Sequence, residues 1–399
     1  MNRFLKWEGK NLDSKVKSNI TNFIYFTGLI LLVSVQYLRN TTLTTILNPY
    51  YQIIMVIVVI LFLIKYFAFQ KNSVLNILLL FILEIIAIIN YKHTNDGSFA
   101  YLIIAIFASR DIDGKKIVEL ILKLVSILLI FTIMLALLGK IPNYVYTYNA
   151  GGINVTRQSL GMTYPTKLGA TIMYMVFAYL VYKNFELNTF QKIMIFVMAF
   201  IVKKIAYAKT AMLLICLAGI IAIFYKPVCR LLKKSNIIVP VLLLFVVLLS
   251  IHLAYHFDTS SQFYQMINNK LFSNRLYLGY VAAMTYPVKL FGQFIYMRGY
   301  GGQIGYLMNH GLLRTNYFFI DSFYLQALLI YGLVIFLITV GSVIYFAFKF
   351  NKEKKFALVI ILLLIAIDNV YEAYMFQSAF NFISLLLLAN TDAFIYKEK

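Results

Sequence analysis

Apolar runs near twenty residues long recur along the whole of this 399-residue chain, and they leave it little choice of environment. A helix needs about 20 apolar residues, each rising about 1.5 Å, to cross the hydrocarbon core of a bilayer. Runs that meet or approach this length occupy 20–38, 46–68, 74–90, 97–109, 117–138, 166–182, 190–206, 209–225, 236–254, 321–348, 356–371 and 374–394, the fourth and seventh being short. Hydrophobic residues make up 62% of the chain and charged residues 13%, and the mean hydropathy is +0.81. Soluble domains carry roughly 45–50% apolar and about 25% charged residues. The expected fold class is therefore all-α: one polytopic membrane domain over 1–399, with about 12 transmembrane helices and no soluble domain. The first run has no small-residue cleavage site behind it and reads as a retained helix.

The net charge of +21 would suggest nucleic acid in a soluble protein. Here the charges fall between apolar runs, and no RNA- or DNA-binding signature accompanies them. Orientation in the membrane and anionic head groups account for them better. Alternating twelve spans puts 22 of the 36 Lys and Arg residues on the side of the N-terminus and 13 on the other. That excess predicts that both termini are cytoplasmic. Cys216 and Cys229 lie in and just beyond one apolar run, with neither a disulfide framework nor zinc-ligand spacing.

Both long loops, 139–165 and 255–320, fall on the extracytoplasmic side, the larger just before the tenth span. Loops of that length are commonly functional. One contains Arg157-Gln158-Ser159-Leu160-Gly161, followed by Met162-Thr163-Tyr164-Pro165-Thr166-Lys167-Leu168. The other contains Arg275-Leu276-Tyr277-Leu278-Gly279 and then Met284-Thr285-Tyr286-Pro287-Val288-Lys289-Leu290. A weak internal repeat would present an arginine and a lysine from each loop to one ligand; chance similarity between membrane-entry segments is the plain alternative. Guanidinium forks match phosphate and carboxylate, so a lipid-linked pyrophosphate, an acidic glycan or phospholipid head groups suit these cations.

Lys203, Lys204 and Lys209 break the charge rule locally and suit a cavity that admits an anion, unless the seventh and eighth spans are misdrawn. Arg298 opens a glycine-dense stretch to Gly305 that lacks the Gly-Lys-Ser/Thr ending of a P-loop and reads as a flexible loop. Acid–base candidates on this side are Asp258, His310, Asp321 and Glu372, with His252 and His256 nearby and Asp368 beside Glu372. Asp321 also suits a helix cap.

The chain resembles the bacterial Wzy-type polysaccharide polymerases, within the wider O-antigen polymerase and ligase superfamily. The likeness rests on about twelve spans, the large outside loop, and an arginine in each long loop. It also rests on local texture at Arg157–Pro165, Asn274–Tyr280 and Asp321–Gly332. As architecture it covers most of the chain; as motifs it covers only 157–169 and 274–332. Lys209 stands where many relatives carry arginine.

The resemblance implies a metal-independent glycosyltransferase with no cofactor, in the bacterial cytoplasmic membrane. It would join undecaprenyl-pyrophosphate-linked oligosaccharide repeat units at the outer face, with a flippase and a chain-length regulator as candidate partners. Arg157 and Arg275 are the expected catalytic cations, with His310 or Asp321 positioning or deprotonating the acceptor. Lys167, Lys209, Lys289, Arg298 and Arg314 are the expected substrate-binding residues. The rivals are a ligase of the same superfamily and a glycan or solute transporter. A transporter would place polar residues at mid-membrane, where Glu84 and Lys123 are the clearest charges.

Overall fold

The computed structural model describes residues 14–150 and 153–397. The basic segment 1–13, residues 151–152 of the first long loop, and 398–399 lie outside the described residues. The helices are α1 (Ser14–Leu38), α2 (Thr44–Ala68), α3 (Val74–Thr94), α4 (Ser98–Ala108) and α5 (Gly114–Leu137). A hairpin of β1 (Val145–Ala150) and β2 (Ile153–Gln158) follows, pairing antiparallel with Tyr146 opposite Arg157. Then come α6 (Pro165–Tyr182), α7 (Thr189–Ile205), α8 (Lys209–Ile223), α9 (Tyr225–Lys234) and α10 (Ile238–Tyr255). The second long loop holds α11 (Gln262–Lys270), α12 (Arg275–Thr285) and α13 (Gly302–Asn309). The chain closes with α14 (Phe323–Leu329), α15 (Leu333–Lys352) and α16 (Phe356–Asp368).

Among the described residues six helices are long and apolar enough to cross a membrane: α1, α2, α3, α5, α10 and α15. The pair α8 and α9, bent by 84°, would make a seventh. The other expected spans are shorter or less apolar, so six or seven of the about 12 expected transmembrane helices are long and apolar enough by themselves. Surface chemistry supports the membrane. On α3 only Leu80, Ala87, Asn90 and Thr94 are buried, while Leu75, Leu78, Phe81, Ile82, Ile85 and Ile88 are exposed. A continuous apolar face of this size is costly in water and costs nothing against lipid tails. The chain is a polytopic, mainly helical membrane protein.

Local signals set the helix ends. Ser73 accepts from the Asn76 amide to start α3, and Asp113 does the same for Lys115 at α5. Asn188 and Gln191 form a reciprocal capping box at α7. Asn95, at φ 60, ends α3.

Two expected spans take a different form. The run 321–348 divides: α14 is a short, wholly buried helix, and α15 begins anew after a break at Ile330–Gly332. The freed amides of Leu333 and Val334 donate to the carbonyls of Lys289 and Leu290, and Gln293 donates to Ile330. The run 374–394 is no α-helix but a string of turns around a 3-10 helix at Phe382–Leu386, buried for most of its length. Asn381 donates to the Met375 carbonyl and to Ser384 within it. Irregular backbone at membrane depth is tolerated when protein surrounds it.

The break before α15 depends on glycine. Gly332 and Gly292 have φ of 91° and 84°, and a Cβ at Gly332 would lie 2.2 Å from the Gly292 nitrogen. Gly332→Ala should therefore lower stability by about 2 kcal/mol or more, read as a fall in the melting temperature of the purified protein. Gly311→Ala, at φ 69° with nothing within 4 Å of the new methyl, should cost clearly less; equal costs would contradict the packing argument.

Candidate functional site

One end of the bundle opens into a cavity of about 800 Å³, built by segments from the whole length of the chain. Three helices of fifteen, eighteen and eleven residues begin at its wall, α8, α6 and α12, and each carries a cation in its first turn: Lys209, Lys167 and Arg275. A helix N-terminus is the positive end of the macrodipole, so a cation there is locally unfavourable. Three such ends facing one space make a strong anion site, with backbone amides and side-chain charge of the same sign. Arg157 joins them from β2.

Arg275 is compensated from inside the protein. Its Nη2 donates to Glu372 Oε1 at 2.9 Å, and its Nε lies 3.4 Å from Asp321 Oδ1. The side chains are only 20%, 15% and 12% exposed in the order Arg275, Glu372, Asp321, so water screens the cluster weakly. Burial opposes the guanidinium charge, but Asp321 and Glu372 outweigh it and hold Arg275 above its ordinary value. Burial pushes the Asp321 carboxyl up to about 6, against the pull of Arg275. Its second oxygen, Oδ2, is buried without a hydrogen-bond partner.

α12 is set by the left-handed backbone of Ser273 and Asn274 and capped from α11, where Asn268 accepts from the Tyr277 amide and donates to Asn274. The Arg157 Nε donates to the Ala206 carbonyl, and its guanidinium lies 5.3 Å from the centre of the Tyr164 ring. Tyr164 stands between the two arginines: burial holds its phenol above the ordinary value while Arg157 and Arg275 pull it down. Lys209 packs over Tyr207, with its nitrogen 5.4 Å from the ring centre.

The cavity also has walls of another character. Tyr300 stacks on Tyr317 at 4.5 Å, and Tyr146 donates to the Tyr300 carbonyl. Tyr331 donates to Asp96 at 2.6 Å, Tyr174 to Asp368 at 2.8 Å, and Asn40 to Gln377 at 2.9 Å. Aromatic faces beside amide and carboxylate groups suit a polyhydroxyl ligand. Gly299, Gly301 and Gly302 also line it, and the Gly302 amide is taken by the Thr163 carbonyl, so the glycine-dense stretch is docked on the first loop. Among the described residues no group of three or more His, Cys, Asp or Glu side chains is placed to hold a metal ion.

Of the residues expected from sequence, Arg157, Lys167, Lys209, Arg275 and Asp321 line this cavity. His310, Lys289, Arg298 and Arg314 do not. His310 ends α13 with its ring 4.1 Å from that of Tyr306 and its Nδ1 on the Tyr306 carbonyl. Lys289 is exposed and serves through its carbonyl, which caps α15. Arg298 packs against Tyr296, and Arg314 is exposed. Lys203 and Lys204 are exposed at the end of α7.

The proposed internal repeat is corrected. Arg157–Gly161 is strand and turn, whereas Arg275–Gly279 is helix. Pro165 opens α6, whereas Pro287 follows the end of α12. The two stretches are alike in sequence but not in backbone. Sequence reasoning had no signal for Asp96, Tyr331 and Gln377, which reach the cavity only through tertiary packing.

Comparisons with protein families, with curated proteins and with solved structures find no match to this chain.

Arg275→Ala would leave Asp321 and Glu372 close together without their cation. It should cost about 3 kcal/mol of stability at neutral pH. The loss should shrink at pH 5, where Asp321, held up near 6 by burial, can protonate, and in Arg275→Ala/Glu372→Gln. A melting temperature that stays put in the single variant would contradict a structural role for the cluster.

Proposed function

We propose that the chain is a polysaccharide polymerase that joins undecaprenyl-pyrophosphate-linked repeat units at the outer face of a bacterial cytoplasmic membrane. The convergence of Arg157, Lys167, Lys209 and Arg275 with three helix N-termini on one large cavity carries this reading. A departing pyrophosphate is the kind of group such a site stabilises. Its volume falls within the range of ligand sites, roughly 300–1,000 Å³. The aromatic and amide walls supply the surface a sugar chain needs.

Topology supports the reading too. Successive segments alternate between the cavity end and the opposite end. The irregular run 374–394 does the same, with Gln377 bonded to Asn40 at one end and the Asn390 carbonyl to the Gly114 amide at the other. This pattern is compatible with twelve crossings, eleven helical and one irregular, and under that reading the excess of Lys and Arg on the side of the termini favours a cavity on the outer face.

In the reaction, the hydroxyl oxygen of the incoming unit attacks the anomeric carbon of the growing chain. The bond from that carbon to the pyrophosphate oxygen breaks, and the electron pair leaves with undecaprenyl pyrophosphate. Arg157, Lys167 and Lys209 face the charge that develops there, and Arg275 completes the field while holding Asp321 in place. Asp321 takes the hydroxyl proton on Oδ2, the oxygen the protein leaves unpartnered. His310, outside the cavity, is the weaker choice.

With purified protein and a lipid-linked oligosaccharide, Arg157→Ala should slow polymerisation by about 10²–10³-fold. A carboxylate base works only when deprotonated, so the wild-type rate should rise with pH through about 6 and then level off. Asp321→Asn should remove most activity together with that inflection. An Asp321→Asn enzyme with unchanged rate and pH profile would rule out this assignment of the base.

A further inference from the structure

At the end of the bundle opposite the large cavity, a second cavity of about 310 Å³ opens between the α2–α3 turn, the end of α4, the last turn of α15 and residues 387–391. Its two charged lining residues are Arg110 and Lys349. Neither forms an ion pair with a described residue, and the neighbouring Asp111 is exposed and does not line the space. α3 begins here: Asn76, in its first turn, is part of the wall, so the positive end of a 21-residue helix adds to the two side-chain cations.

A second, independent observation also points to a ligand. Tyr66 lines the cavity, is 1% exposed, and its hydroxyl has no hydrogen-bond partner. Arg110 is near enough to act electrostatically on that phenol. A buried donor without an acceptor is unfavourable, and an anion held by Arg110 would lie beside it. Polar groups of the wall hold one another: Gln70 accepts from Lys65 and donates to Asn72, Asn72 donates to the Tyr66 carbonyl, and Thr391 accepts from Lys355. The frame is thus held rigid around two cations and one hydroxyl.

The surroundings indicate what carries the anion. Phe67, Val74 and Leu75, within two residues of the lining residues in sequence, are exposed apolar side chains, at 52%, 74% and 66%. A free ion has no use for such a rim, whereas acyl chains do. We propose that this cavity binds the phosphate of an anionic membrane lipid, with its acyl chains along the outer faces of α2 and α3. The lipid would tie the α2–α3 turn to the end of α15 and to the returning segment 387–391, which line the cavity together. Basic pockets between transmembrane helices are suited to such head groups.

The test uses the full chain purified in detergent. Thermal stability and native mass spectrometry are followed on addition of phosphatidylglycerol, of phosphatidylcholine, or of inorganic phosphate. Phosphatidylglycerol should raise the melting temperature and remain bound, phosphatidylcholine should do neither, and inorganic phosphate should have little effect. Arg110→Gln/Lys349→Gln should melt like wild type without added lipid, yet bind phosphatidylglycerol about tenfold or more weakly. Tyr66→Phe should weaken binding without disturbing the packing of the ring. Equal binding of the two lipids, or undiminished binding by the double variant, would overturn the proposal. Stabilisation by inorganic phosphate that matches the lipid would replace it with a free-anion site.

Discussion

The cluster of Arg275, Glu372 and Asp321 is the constraint on which the cavity depends. Arg275 opens α12, where the helix dipole disfavours a cation, and it is mostly withdrawn from water. Two carboxylates from distant parts of the chain offset both costs. Doing so fixes the large loop against the segment before α14 and against the turn after α16. Once α12 is fixed, its N-terminus faces those of α6 and α8, and the first loop closes the space through Arg157 on the Ala206 carbonyl. The cavity follows from how those few polar bonds arrange an otherwise apolar bundle.

The bilayer explains the rest of the architecture. Lipid tails cover the outer faces of α2 and α3, so helices there bury little and need no amphipathic stripe. Polar contacts gather at the two ends. Inside, backbone can depart from the helix wherever neighbours satisfy it, as at the break between α14 and α15 and along 374–394. Both departures lie among buried residues, where protein replaces the lipid.

Much of this was legible in the sequence, and for definable reasons. Runs of apolar residues reveal membrane helices because a span must be continuous, so α1, α2, α3, α5 and α10 fall where expected. Arg157 and Arg275 could be found because they fall in the long loops, and Lys167, Lys209 and Asp321 because they stand at the starts of apolar runs, where a charge is unexpected. Composition could not reveal that 374–394 lacks a helix: its apolarity reports burial, and burial in protein and burial in lipid read alike. Nor could it separate Lys167 from Lys289. Both follow Tyr-Pro-x, but the first stands in the opening turn of a helix that points at the cavity and the second in a loop whose carbonyls cap α15. Asp96, Tyr331 and Gln377 carry no local signal because their role arises from packing between segments far apart in sequence.

The proposed activity of this cavity is the polymerisation of a glycan from lipid-linked units. Deleting the gene in its host, and resolving the surface glycan by gel after complementation, tests it most directly. Long chains should disappear, single repeat units should remain linked to lipid, and wild-type protein should restore the ladder while Arg157→Ala and Arg275→Lys do not, although both variants reach the membrane. Long chains that persist unchanged in the deletion strain, with no second polymerase present, would contradict it.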